Sequence, residues 1–120
     1  MEASVPFPLY AFEKDDNSIR LIENPDRILY DMEAIDIENE EYLFWDAVAK
    51  PVRIAVERHQ VVTIEHCPEI MTLHEAFVRN AASLGISVDL SGSPEQVWSR
   101  LKEAERQLPP KRSFFSRLRR

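Results

Sequence analysis

The hydrophobic period of this chain is mainly strand-like in its first two-thirds and helical in its last third, and that division limits the folds open to it. Up to about residue 66 apolar side chains recur at every second position; from Thr72 onward they recur at every third or fourth. A period of two belongs to strands and a period of 3.6 to helices. Strands first and helices last point to an α+β domain, with helices gathered on one face of an antiparallel sheet.

The strand half reads as a meander. Pro8–Lys14 alternates Leu9 and Ala11 against Tyr10 and Phe12. Asp15-Asp16-Asn17-Ser18 supplies turn residues, and Ile19–Glu23 resumes, so the pair predicts a β-hairpin. Asn24-Pro25 then starts a short helix to about Asp31, with Asn24 as N-cap, Pro25 at the first helical position, and Ile28 and Leu29 turned inward. Glu33–Glu38 alternates again and reads as a strand, with Ile35 and Ile37 opposite Asp36 and Glu38. Glu41–Asp46 is apolar on both faces, which marks a central or covered strand. Val52, Ile54 and Val56 form one face of the next strand, Arg53 and Glu57 the other. Arg58-His59-Gln60 turns the chain into Val61–His66. Five or six strands are expected.

The helical third carries two start signals. Thr72-x-x-Glu75 is a capping-box pattern, and Gly85 stands where a helix ends in the left-handed conformation. Leu73, Ala76, Phe77, Ala81 and Leu84 lie between them at helical spacing. Ser93-Pro94-Glu95-Gln96 opens a second helix, with Val97, Leu101, Ala104 and Leu108 as its stripe and Trp98 beside it, stopped by Pro109-Pro110. Ile86–Leu90 between them reads as extended, a candidate edge strand. The expected domain spans residues 1–110, with both long helices on one sheet face and the acids on the other, wet face.

Those acids are sorted. Residues 1–50 hold thirteen Asp/Glu against four Lys/Arg, a net of −9; the last ten residues hold five Lys/Arg and no acid. Without that tail the body has ten Lys/Arg and twenty-one Asp/Glu, a net of −11. Phosphate is repelled by such a body, which disfavours nucleic acid as its partner. The single Cys67 excludes an intrachain disulfide and points to a reducing compartment, the cytoplasm. Met1–Pro6 lacks the basic and apolar regions of a secretory signal, and no apolar run approaches the roughly 20 residues of a membrane span.

Catalytic and metal chemistry find little footing. His66 and Cys67 are strand neighbours and point to opposite faces, so they cannot pair with each other. A thiolate at Cys67 with His59 or His74 as base is the best nucleophile the chain offers, against the alternative of a small residue filling a strand end. The histidines lack zinc spacing, and His74-Glu75 is not followed by the second histidine of HExxH, since Val78 takes that place. With two glycines there is no phosphate-binding loop, and no cofactor is implied.

From Asp31 to Asp46 seven acids stand with no base among them: Asp31, Glu33, Asp36, Glu38, Glu40, Glu41 and Asp46. The EF-hand spacing and its glycine are missing, which leaves a solvated face, a surface matched to a basic partner, or a carboxylate pair. The favoured expectation is a small non-catalytic binding protein. It engages a basic protein partner through Asp36, Glu38, Glu40, Glu41, Trp45 and Asp46, as an inhibitor or immunity-type protein facing a basic nuclease-like toxin would. One alternative is an enzyme or small-ligand domain centred on Cys67 or a carboxylate pair. Another is a peripheral module whose tail, through Lys111, Arg112, Arg117, Arg119 and Arg120, docks on an anionic membrane or nucleic acid.

Overall fold

The structure is a computed structural model and describes residues 5–68 and 71–109. Its order is β1 (Leu9–Glu13), β2 (Ile19–Ile22), a 3-10 turn (Pro25–Arg27), α1 (Ile28–Asp31), α2 (Ala34–Glu38), β3 (Tyr42–Trp45), β4 (Pro51–Glu57), β5 (Gln60–His66), α3 (Leu73–Leu84) and α4 (Pro94–Arg106). The five strands form one antiparallel sheet in the order β2-β1-β3-β4-β5. The fold is α+β.

β1 lies inside the sheet, between β2 and β3, because it is apolar on both sides. Leu9 and Ala11 enter one core, Tyr10 and Phe12 the other. β3 does the same: Tyr42 and Phe44 join Leu9 and Ala11, while Trp45 joins Tyr10 and Phe12. The register places Ala11 opposite Phe44 and Tyr10 opposite Trp45, so each face is continuous across the pair. α3 and α4 cover the Tyr10 face with Phe77, Ala81, Val97 and Leu101. The opposite face takes Ile28, Met32, Ala34 and Ile37 from the short helices. Both faces of the sheet therefore carry helices, which makes three layers, not the two expected.

This overturns the wet acidic face. Glu33–Glu38 is not a strand: Ala34–Glu38 is helix α2, packed over β4. The reason lies in what β4 exposes. Val52, Ile54 and Val56 need a cover, and Ala34 and Ile37, one turn apart on α2, supply it. On a strand Ile35 and Ile37 would share a face; on the helix Ile37 is buried and Ile35 is exposed. The side of the sheet that does stay wet is the outer half of the α3–α4 face. There Arg53 and Glu57 on β4 and Thr63 and Glu65 on β5 are exposed, a mixed rather than acidic set.

The helix starts were legible, with two refinements. Ser93 and Gln96 make both halves of a capping box at α4, with Pro94 at the first position. At α3 the Thr72 hydroxyl accepts from the Glu75 N–H at 3.1 Å, but the Glu75 carboxylate is held by Arg79 rather than reaching back. Gly85 ends α3 at φ +70°, where a side chain would be strained. Asn24 is extended ahead of Pro25 but gives no side-chain cap. Ile86–Leu90 is not a strand; Ile86, Val88 and Leu90 pack on the core from an irregular segment. Among the described residues no helix is long and apolar enough to cross a membrane.

Candidate functional site

The acidic stretch divides into a buried anchor and an exposed surface. The anchor is Asp46, which is 0% exposed. It leaves β3 at the point where the chain must turn into β4. Its Oδ1 accepts the N–H groups of Val48 and Lys50 at 2.9 and 3.0 Å. Its Oδ2 meets His66 Nε2 at 2.7 Å. His66 stands opposite Val52 in the β4–β5 ladder, so the carboxylate ties the β3–β4 turn to the end of β5. A buried carboxylate must be hydrogen-bonded, and here both of its oxygens are. Trp45 is also 0% exposed, its indole N–H donating to the Met71 carbonyl at 3.0 Å. Neither residue is available to a partner. Asp46 and Trp45 leave the candidate set because one staples the sheet and the other fills the core under α3.

The exposed surface is carried by the 3-10 turn, α1, α2 and the loop to β3. Glu33, Glu38, Glu40 and Glu41 are exposed and Asp36 is half-buried. None lies on a strand, so the expected alternation does not gather them: Asp36 and Glu38 are on α2, Glu33 precedes it, and Glu40 and Glu41 follow it in the loop to β3. Glu40 takes φ +57° in the turn after α2, and Glu41 closes that turn by donating its N–H to the Asp36 carbonyl at 3.0 Å. The platform is pinned to the sheet by Arg20 on β2, which donates to the Asp31 carbonyl at 2.7 Å at the end of α1. A cation at the negative end of a helix is the favourable arrangement.

Two apolar residues stand among these carboxylates. Tyr30 is 76% exposed and Ile35 58% exposed. With Leu29, Met32, Glu33 and His59 they line an open cavity of about 480 Å³. The Arg27 guanidinium lies 4.1 Å from the Tyr30 ring centroid and 3.5 Å from the Asp31 carboxylate. Tyr30 and Ile35 were missed in the sequence, because Tyr30 falls within the helix of Ile28 and Leu29 and Ile35 within the supposed strand of Ile37. The available signal was spacing within each short element: Ile28 and Met32 are buried and leave Tyr30 outside, and Ala34 and Ile37 bury one side of α2 and leave Ile35 on the other.

Other candidate chemistry is not assembled. Cys67 is partly buried and lines a cavity of about 310 Å³ with Glu38, Glu40 and Arg53. His59 is at the β4–β5 turn and His74 on α3, in different parts of the fold. Among the described residues no group of three or more His, Cys, Asp or Glu gathers to hold a metal. The resolved proton-affinity shifts fall on the helical side. Burial, and then the charge of Glu95, raises the Tyr10 phenol. The Ser91 hydroxyl and N–H lower Asp89, and Arg106 and Gln107 lower Glu103. Lys111, Arg112, Arg117, Arg119 and Arg120 lie outside the described residues.

Comparison with protein-family models, with curated proteins and with solved structures finds no match to the chain.

Proposed function

We propose that this is a small binding protein whose acidic platform, residues 27–41, docks a basic protein partner without catalysing a reaction. The observation that carries the reading is the exposure of Tyr30 and Ile35 at 76% and 58% beside residues 31–41, whose charged side chains are all carboxylates, with Arg27 stacked on the Tyr30 ring. Single exposed apolar residues are ordinary, but a tyrosine and an isoleucine lining one cavity and rimmed by acids have the anatomy of a hot spot. The apolar pair supplies affinity on desolvation. Glu33, Asp36, Glu38, Glu40 and Glu41 supply steering, since rim charges act chiefly on the association rate. An inhibitor or immunity-type protein, standing in for phosphate before a basic target, is the mode of action this charge fits.

The test is comparative capture from the native cell with three baits: the wild-type chain, Tyr30→Ala, and the triple reversal of Glu38, Glu40 and Glu41 to Lys. Tyr30→Ala is expected to weaken the captured partner by about 2 kcal/mol, roughly thirtyfold. The triple reversal is expected to slow association and abolish its salt dependence. Both variants keep the wild-type circular dichroism because the substituted side chains are solvent-facing. A partner retained equally by all three baits sinks the reading.

A further inference from the structure

The platform has features that match one segment of its own chain. Its cavity offers an aromatic face and apolar wall at Tyr30, Leu29 and Ile35, with Asp31 and Glu33 beside them. One cation already uses this chemistry, since Arg27 both stacks on Tyr30 and pairs with Asp31. A guanidinium is suited to such a site because it is planar, weakly hydrated and able to stack and pair together. Residues 111–120, Lys-Arg-Ser-Phe-Phe-Ser-Arg-Leu-Arg-Arg, carry four arginines, one lysine, no acid, and the apolar Phe114, Phe115 and Leu118. The complement is twofold: cations for the carboxylates, aromatic and aliphatic groups for the cavity wall.

Reach permits the contact. The described chain ends at Pro109, beyond α4, on the opposite side of the sheet from α1 and α2. Eleven further residues span up to about 36 Å when extended. The molecule measures 45 × 31 × 21 Å, so this length is comparable to its two shorter axes, and the arginines at 117–120 have the greatest reach round a sheet edge toward the platform. Tethering gives such a contact a local concentration in the range of about a millimolar, enough to hold a weak site closed until a stronger basic ligand arrives.

We infer that the C-terminal segment 111–120 occupies the Tyr30–Ile35 cavity in the same molecule and competes with the basic partner for it. This rests on the proposed docking surface and adds its regulation: the tail sets a threshold that weak cationic ligands do not cross.

Two measurements on the full chain test this. A nitroxide on Ser116→Cys, in a chain also carrying Cys67→Ser, is expected to broaden the amide signals of residues 29–35 independently of protein concentration. Absence of broadening there, or broadening seen only between labelled and unlabelled molecules, overturns the intramolecular contact. The second measurement is the affinity of deca-arginine for the wild type and for a chain with Lys111, Arg112, Arg117, Arg119 and Arg120 all changed to Gln. Competition predicts roughly tenfold tighter binding to the neutralised chain. Equal or weaker binding overturns the inference and leaves the docking surface standing. Binding to neither chain, with the broadening present, keeps the tail contact and removes the reading of this face as a partner site.

Discussion

Asp46 concentrates much of the order of the sheet in one carboxylate. It is fully buried and satisfies two backbone N–H groups and the His66 ring at once. Removing it takes the acceptor from two part-buried N–H groups and the His66 ring and leaves the space of a fully buried side chain unfilled. Asp46→Ala is expected to destabilise the fold by about 3 kcal/mol, and His66→Ala, whose ring is partly exposed, by about 1 kcal/mol. Urea unfolding checks both; a loss below about 1 kcal/mol for Asp46→Ala would refute the anchoring role. This residue also shows where reading by composition fails. Seven acids in a row of sixteen residues look alike in the sequence, yet one is a staple and the rest form a surface. The difference is set by the turn between β3 and β4, whose N–H groups point back at Asp46, and that geometry leaves no mark in charge or hydropathy. Trp45 was equally opaque, because the carbonyl its indole needs comes from Met71, twenty-six residues away.

Elements with strong local chemistry were legible. The β1–β2 hairpin, the two long helices, the Gly85 stop and the Ser93 capping box all follow from residues adjacent in the chain. α2 was not, because Ala34–Glu38 is too short for a helical period to outweigh the Ile35–Ile37 alternation, and its state is decided by the uncovered face of β4. The β4–β5 hairpin is a different case, foreseen in position and unusual in composition. Glu57 pairs with Gln60, leaving a two-residue turn in which Arg58 and His59 take φ +51° and +63°. Such a turn is ordinarily built from Asn-Gly, because side chains with a Cβ are strained at positive φ. Changing Arg58→Asn and His59→Gly together is expected to stabilise the protein by about 1 kcal/mol with an unchanged denaturant slope. An unaltered or lowered midpoint would mean that the Arg58 and His59 side chains repay the strain. His59 lines the Tyr30 cavity, so the same double variant also reports whether this strained tip belongs to the proposed docking surface.

At the scale of the whole molecule the two faces of the sheet are unequally built. On one side, helices of twelve and thirteen residues with side-chain caps cover β1–β3. On the other, a 3-10 turn and helices of four and five residues, none with a side-chain cap, join the opposite core, with α2 over β4 and α1 against β5. A helix of one turn contributes few internal hydrogen bonds, so the thin layer depends on Ile28, Met32, Ala34 and Ile37 staying seated. Local opening follows the density of buried contacts, and the short layer is expected to open without the sheet. Amides in residues 28–38 should therefore exchange at least about tenfold faster, relative to their intrinsic rates, than those of β1, β3 and the middle of α3. Native-state hydrogen exchange measures this directly, and uniform protection across both faces would refute it. The asymmetry bears on function because the thin layer is the one that carries Tyr30, Ile35 and the carboxylates. Under the proposed docking, a surface that opens at low cost would adjust to a basic ligand and be stabilised by the contact. A basic ligand should consequently slow exchange in residues 28–38 while leaving α3 and α4 unchanged. Protection gained equally by both faces would instead indicate a general effect of neutralising the body's net charge of −11.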